Sequence, residues 1–161
     1  MNAAVLTISD RVSRGAAEDT SGNLLAELLR ADGYDVAQRV VPDEADQIAS
    51  SIEELAGAAA LVLTTGGTGL GPRDVTPEAT RRVLQREAPG IAEALRADSI
   101  AKTPHGLLSC GAAGVVGPTL VVNLPGSPGG CRDGYAVLQP ALGHALSLLA
   151  DEPTEHAQTS R

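Results

Sequence analysis

Three aspartates stand directly beyond segments that we predict to be β-strands of one sheet. Asp10 follows the apolar run 3–8, Asp43 follows residues 34–41, and Asp74 lies beyond a third strand and its loop. Because the carboxyl ends of parallel strands lie at one edge of a sheet, these carboxylates can meet in one crevice. Carboxylate oxygens beside phosphates suit Mg²⁺. A strand-end aspartate also commonly caps a helix or solvates a loop, and the residues alone leave both interpretations open.

A glycine-rich loop precedes the third of these aspartates. Four of the six residues 66–71 are glycines, and backbone N–H groups that no Cβ shields can approach an anion closely. The residues after Asp74 predict a helix, with Thr76 as its N-cap and Pro77 at its first position. A buried strand, a glycine loop and a capped helix in this order predict a phosphate-binding site.

The loop departs from the common nucleotide-binding motifs. Its glycines do not follow the GxGxxG spacing, and no Gly-Lys-Ser/Thr follows them, since the only lysine is Lys102. The pattern therefore argues against a conventional P-loop kinase or GTPase. Thr68 can donate its hydroxyl to a phosphate oxygen, whereas Arg73 can either offset phosphate charge or form a surface salt bridge.

The segment 66–79 resembles the signature GGTGxxxRDVTPEA of the MogA/MoaB family of molybdenum-cofactor biosynthesis proteins, which includes the G domain of gephyrin. Residues 66–69 and 73–79 follow that pattern. The resemblance implies that Asp74 of the Arg-Asp pair and Asp43 of Pro-Asp-Glu serve metal binding and catalysis. It also implies Mg²⁺ as the metal and ATP and molybdopterin as substrates.

The same resemblance implies the remaining site residues. The nucleotide and phosphate side comprises Gly66, Gly67, Thr68, Gly69, Arg73, Asn123, Pro125, Gly126 and Ser127, and the pterin side comprises Ser9, Asp10 and Ser109. Without the family, the segment 123–128 is equally a rigid turn with a helix cap. Two positions depart from the family pattern: Cys110 stands in the place of an arginine, and Asn23 stands where proline is common.

The activity that the resemblance implies is molybdopterin adenylyltransferase. Such an enzyme uses MgATP to transfer AMP to the molybdopterin phosphate and releases pyrophosphate. The alternative is a MoaB-type homologue that binds a pterin or a nucleotide with little or no adenylyl transfer. The family also implies a homotrimer, or a hexamer, and a MoeA-type molybdenum insertase as a candidate partner.

The elements that must position these residues alternate along the chain. Apolar runs and helical periodicity predict a three-layer α/β/α sandwich with a mostly parallel sheet. A hairpin around Gly117-Pro118 predicts one antiparallel edge strand. We expect helices over about 44–56, 77–86, 91–100 and 133–150, another after Asp19, and a loop over 11–22. Residues 1–150 are expected to form one domain, followed by a polar tail over 151–161.

Composition narrows the possible partners. Hydrophobic residues make up 43% of the 161-residue chain without any Phe or Trp, so the core must be aliphatic. A net charge of −8 disfavours nucleic acid and anionic membrane surfaces as partners. The sequence has no signal-peptide pattern, no apolar run long enough for a membrane span, and only two cysteines. We therefore expect a cytoplasmic protein.

Overall fold

A six-stranded sheet forms the centre of the chain in the computed structural model, which describes residues 1–151. The predicted polar tail, apart from Asp151, falls outside the described residues. The strands are β1 (Asn2–Ile8), β2 (Asp35–Val41), β3 (Leu61–Thr65), β4 (Arg86–Glu87), β5 (Ala113–Val116) and β6 (Thr119–Leu124). The helices are α1 (Asp10–Ser13), α2 (Thr20–Ala31), α3 (Ala45–Ala56), α4 (Thr76–Val83), α5 (Pro89–Lys102) and α6 (Pro128–Leu149), and a short 3₁₀ helix spans Pro104–Leu108.

The strand order is β2-β1-β3-β6-β5-β4, which brings the predicted strand ends together. Strand β1 pairs in parallel with β2 and β3, and β3 pairs in parallel with β6. Strand β5 runs antiparallel to β6, as the hairpin pattern predicts, and the two-residue β4 extends the sheet beyond it. The carboxyl ends of β1, β2, β3 and β6 therefore lie at one edge, where ligands bind in open α/β sheets.

Two aliphatic layers cover the two faces of the sheet. Helices α2 and α6 bury Leu25, Leu29, Leu138 and other apolar side chains on one face, with α5 packed beside them. On the other face, α3 and α4 form the second cluster, which includes Ile52. The expected three-layer α/β/α sandwich is confirmed. No helix within residues 1–151 is both long and apolar enough to cross a membrane.

Local contacts shift several predicted boundaries. Helix α4 ends at Val83, before the predicted end, because Leu84 turns extended and Gln85 N–H donates to Val115 O of β5 at 2.9 Å. Helix α6 begins at Pro128, five residues before the prediction, because the Ser127 hydroxyl caps it by accepting from Gly130 N–H.

Two predictions of local structure are wrong. The predicted loop 11–22 contains the one-turn helix α1, which Ser9 caps, and the first residues of α2. Thr76 is the first residue inside α4 and not its N-cap, a position that Val75 occupies without a side-chain hydrogen bond.

Asn123 ties three elements together at the ligand edge. Its side-chain amide donates to the hydroxyls of Thr64 in β3 and Thr80 in α4, both at 2.9 Å, and its Oδ1 accepts from Ala112 N–H at 3.0 Å. Asn123 is only 3% exposed, so bulk water cannot form these hydrogen bonds in its place. The Asn123 side chain therefore holds β6 to β3, to α4 and to the residue that precedes β5.

We predict that Asn123→Ala lowers the free energy of unfolding by about 3 kcal/mol, because it leaves several buried polar groups without partners. Urea denaturation monitored by circular dichroism measures this change. Asn23→Ala is the matched control: the Asn23 side chain is exposed and accepts one hydrogen bond from Gln38, so a loss below about 0.5 kcal/mol is expected. Equal losses in the two variants would contradict the structural role of Asn123.

Candidate functional site

Asp10 and Asp43 hold each other at the ends of β1 and β2. The backbone N–H of Asp10 donates to Oδ2 of Asp43 at 2.8 Å, and the backbone N–H of Asp43 donates to Oδ1 of Asp10 at 3.1 Å. Both aspartates lie in short segments that directly follow the strands, and the parallel pairing of β1 with β2 brings these segments together. The predicted convergence of these two carboxylates is therefore present.

Arg73, which follows the glycine loop 66–71, forms an ion pair with Asp10. Its Nε and one terminal nitrogen donate to the two oxygens of Asp10 at 2.9 and 3.0 Å, and that terminal nitrogen also donates to Glu44 Oε1 at 2.9 Å. The fork geometry of a guanidinium fits a carboxylate in this bidentate manner. Of the two roles left open for Arg73 by the sequence, the salt bridge is the one formed in this structure.

Asp74 folds back on the glycine loop that precedes it. Its Oδ2 accepts from Gly71 N–H at 2.9 Å, and its own N–H donates to Gly71 O at the same distance. A Cβ added at Gly69 or Gly71 would come within 2.9 Å of Asp74 Oδ2. Gly69 and Gly71 therefore make room for the Asp74 carboxylate, and the Gly71 amide is already bonded to it.

The first two glycines of the loop turn the chain at the edge of the sheet. Gly66 has φ +100°, and a Cβ on it would collide with the Ile8 carbonyl oxygen of β1. Gly67 has φ +64°, and a Cβ there would collide with the Thr76 hydroxyl and lie 3.1 Å from Asp43 Oδ1. Only glycine fits both backbone and space here.

The carboxylates at this edge differ in their electrostatic surroundings. The hydrogen bonds from Arg73 hold the pKa of Asp10 below its usual value. Burial raises the pKa of Asp43, and the negative charges of Asp10 and Asp74 raise it further against the opposing hydrogen bond from the Asp10 amide. Hydrogen bonds to Asp10 and Glu44 also raise the pKa of Arg73. Asp43 is thus the carboxylate that gains most from an added positive charge.

The donor set at Asp43 and Asp74 fits a hard divalent cation. Each carboxylate uses Oδ2 to accept a backbone N–H, and neither Oδ1 accepts a hydrogen bond from the described residues. Within residues 1–151, no three His, Cys, Asp or Glu side chains are grouped closely enough to complete a metal site. Mg²⁺ commonly binds through one or two carboxylates, water and substrate phosphates, so two aspartates suffice for such a site.

A cavity of about 360 Å³ lies between α5 and the segment that follows β6, and none of residues 66–71 lines it. It is lined by the predicted site residues Ser109, Asn123, Pro125 and Ser127, together with side chains of α5. Two hydrogen bonds connect neighbouring segments: Cys110 N–H donates to Thr68 O at 2.9 Å, and the hydroxyl of Thr65, the last residue of β3, donates to Pro125 O at 2.7 Å. The glycine loop is therefore bonded to the segment that includes Ser109 and Gly111 of the cavity lining.

The predicted ligand-binding side chains differ in how far they are already engaged. Every polar atom of the Asn123 side chain has a protein partner, as described above. Ser9 and Ser127 cap helices, and Ser109 Oγ accepts a long 3.4 Å bond from Gly111 N–H. Gly126 is exposed and packs its α-carbon side against Gly66, since a Cβ there would lie 3.2 Å from Gly66 Cα.

Sequence reasoning missed two cations of α5 that line the cavity. Arg96 donates to Gly111 O at 2.8 Å, and Lys102 pairs with Asp98 and Asp133 at 2.8 and 3.2 Å. Arg96 falls in the predicted helix 91–100 and Lys102 just beyond it, and neither position gave a signal, because only the packing of α5 against β5 and β6 brings the two residues to the cavity. The Lys102 pKa is raised by its hydrogen bond to Asp98.

These features define an α/β domain whose candidate site lies at the carboxyl ends of its parallel strands. A family model described as "Probable molybdopterin binding domain" matches residues 4–144, and the chain belongs to this family of molybdenum-cofactor biosynthesis domains. The family resemblance read from the sequence is thereby confirmed.

Relatives in this family align with about nine-tenths of the chain. The molybdopterin adenylyltransferase of Helicobacter pylori J99 is 37% identical over 90% of the chain and 85% of its own length. The molybdenum cofactor synthesis protein cinnamon of Drosophila melanogaster is 40% identical over 92% of the chain, which spans only about a quarter of that protein. The crystal structure of the molybdopterin biosynthesis enzyme MoaB from Thermus thermophilus superposes with a TM-score of 0.87 at 46% identity, covering 94% of this chain and 98% of that one.

We predict opposite pH dependences for Asp43→Asn and Asp10→Asn. Because the pKa of Asp43 is raised in the folded protein, its protonated form contributes to the stability of the fold. This contribution is fully present below about pH 4, the usual pKa of an aspartate, and is lost as pH rises through the raised pKa. The lowered pKa of Asp10 contributes stability above about pH 4 that is lost as pH falls.

Thermal denaturation of the wild type and both variants from acid to neutral pH checks this prediction. The melting temperature of the wild type relative to Asp43→Asn should fall as pH rises, whereas relative to Asp10→Asn it should rise. A pH-independent difference for both variants would show that the two carboxylates do not differ in this way.

Proposed function

We propose that this chain is a molybdopterin adenylyltransferase, which transfers AMP from MgATP to the phosphate of molybdopterin and releases pyrophosphate. One observation carries the proposal. Asp43 and Asp74 each present an oxygen without a hydrogen-bond partner among residues 1–151, beside the glycine loop 66–71. The name and 37% identity of the Helicobacter pylori relative support the same reaction.

In this proposal, the glycine loop binds the phosphates of ATP. Gly67, Thr68 and Gly69 supply backbone amides and Thr68 a hydroxyl, which suit phosphate oxygens in a chain of net charge −8, while the Gly66 N–H donates to Leu124 O at 3.3 Å. Arg73 lies at the same edge, with more than half of its side chain exposed despite its salt bridges. It therefore retains the exposure needed to contribute positive charge to a bound phosphate.

The segment 123–127 and Ser109 serve the organic parts of the two substrates. Pro125, Gly126 and Ser127 provide the nucleotide side, and Asn123 fixes this segment through its buried hydrogen bonds. Ser109, with Ser9 and Asp10, provides the pterin side. A cavity of about 360 Å³ is in the size range of small-ligand sites.

The protein's part in the reaction is to position two anionic substrates and to offset their charge. The pterin phosphate attacks the α-phosphate of ATP in line, so that a new P–O bond forms as the bond to pyrophosphate breaks. Asp74 and Asp43 would hold Mg²⁺, which supplies charge stabilisation on the phosphate oxygens when bound. Backbone amides fixed by the loop hold those oxygens in place, and no side-chain nucleophile is required.

The proposal extends to assembly and location. We propose a homotrimer, with a hexamer as the larger alternative, and a MoeA-type molybdenum insertase as the protein that receives the product. A cytoplasmic location is consistent with the two free cysteines, Cys110 and Cys131, since thiols remain reduced there.

A second candidate function is a pterin- or nucleotide-binding protein with little adenylyl transfer. The MoaB structure of 46% identity is described as a molybdopterin biosynthesis enzyme, so that similarity does not separate the two functions. Both functions need the same fold and the same anion-binding loop, so they differ only in turnover.

We predict that the wild type forms adenylated molybdopterin from molybdopterin, ATP and Mg²⁺, and that Asp74→Ala lowers this turnover by about a hundredfold or more. The physical reason is the loss of a carboxylate that balances the cation at the reacting phosphate. Chromatographic detection of the adenylated product measures the rate. Asp35→Ala is the matched control, because Asp35 is exposed at the amino-terminal start of β2, opposite the site.

Two results would contradict the enzyme assignment in different ways. A folded wild type that binds molybdopterin without forming the adenylate would favour the binding protein. An Asp74→Ala variant as active as Asp35→Ala would show that the reaction does not depend on this carboxylate.

A further inference from the structure

Thr76 carries a buried hydroxyl that has no hydrogen-bond partner among the described residues. The residue is 0% exposed, and its Oγ1 is the only buried side-chain polar atom within residues 1–151 left without a partner. A buried unpaired hydroxyl is costly, because its hydrogen bonds to water are lost and nothing replaces them. Such an atom therefore points to a partner that this state of the protein lacks.

The position of this hydroxyl identifies the partner. A Cβ built on Gly67 would collide with Thr76 Oγ1 and would lie 3.1 Å from Asp43 Oδ1, so both oxygens face the same side of the Gly67 α-carbon. Asp43 Oδ1 also accepts no hydrogen bond from the described residues. A hydroxyl donor and a carboxylate acceptor thus stand close together without being bonded.

The backbone links this pair to the glycine loop. Thr76 N–H donates to Gly67 O at 3.1 Å, so the first turn of α4 is tied to the loop residue whose α-carbon both oxygens face. Gly67 lies at a positive φ and has no side chain, so the space that both oxygens border stays open. An anion bound by the loop amides acts on this same residue.

We propose that Thr76 is a positioning residue for Asp43. The Thr76 hydroxyl donates to Asp43 Oδ1 when a nucleoside triphosphate and its divalent cation occupy the glycine loop. This inference deepens the proposed function and rests on it. The unliganded protein keeps the hydroxyl unpaired, and ligand binding supplies the missing hydrogen bond. Thr76 therefore contributes to ligand affinity without contacting the ligand.

Thr80 offers a matched control one turn further along α4. It is also a threonine with 0% exposure, but its hydroxyl donates to Thr76 O at 2.7 Å and accepts from the Asn123 amide at 2.9 Å. Removing the Thr80 hydroxyl breaks existing bonds, whereas removing the Thr76 hydroxyl breaks none. The two Thr→Val variants should therefore behave in opposite ways.

The test is the thermal denaturation of the full chain with and without Mg²⁺ and α,β-methylene-ATP, an analogue that blocks transfer. Without ligand, we expect Thr76→Val to have a melting temperature at or above that of the wild type. The rise in melting temperature that the ligand causes should be smaller than in the wild type, by the amount that corresponds to about tenfold weaker binding. Thr76→Ser should restore the increase. Thr80→Val should melt lower without ligand, because its hydroxyl already has partners in that state.

Two outcomes would overturn the inference while leaving the proposed function intact. The first is a Thr76→Val variant with a wild-type ligand-induced increase, and the second is one destabilised without ligand as much as Thr80→Val. A wild type that shows no increase with the Mg²⁺ nucleotide would instead reject the nucleotide assignment, and the role of Thr76 with it.

Discussion

Two reciprocal hydrogen bonds between Asp10 and Asp43 fix the edge of the sheet at which its parallel strands end. In each bond, the backbone N–H of one aspartate donates to the carboxylate of the other. Asp10 and Asp43 leave the ends of β1 and β2, and their reciprocal bonds of 2.8 and 3.1 Å lock the two exits together. Arg73 then clamps Asp10 from the glycine loop after β3. Three parallel strands thereby deliver their exits to one place, and the spare carboxylate oxygens of Asp43 and Asp74 remain for a ligand.

Much of this arrangement follows from local sequence patterns. The alternation of apolar runs with helical periodicity predicted the layers, and the strand-end positions of Asp10 and Asp43 indicated that the two carboxylates could meet, with helix capping or loop solvation left open as the alternative. The salt bridge of Arg73 to Asp10 could not be chosen over a phosphate contact, because it joins residues 63 positions apart. The early start of α6 was missed because Pro128-Gly129-Gly130 is a turn sequence unless Ser127 caps a helix there.

Residues that lie far from the motif escape sequence reasoning for a different reason. Arg96 and Lys102 reach the cavity only through the packing of α5, and nothing in their spacing distinguishes them from solvated helix residues. Asn123 stands in a recognisable segment, yet its burial and its three partners depend on where β3 and α4 lie. Local patterns identify strand exits, whereas the walls of a cavity require the tertiary structure.

The electrostatics of this edge bear on the proposed binding of acidic substrates by an acidic chain. Asp43 is partly buried, and this burial, with the like charges of Asp10 and Asp74, raises its pKa. Under the proposed function, a divalent cation bound with a phosphate would offset that repulsion. The unpaired Thr76 hydroxyl is a second unfavourable feature at the same point. Ligand binding as proposed would relieve both features, which would couple affinity to the occupied geometry.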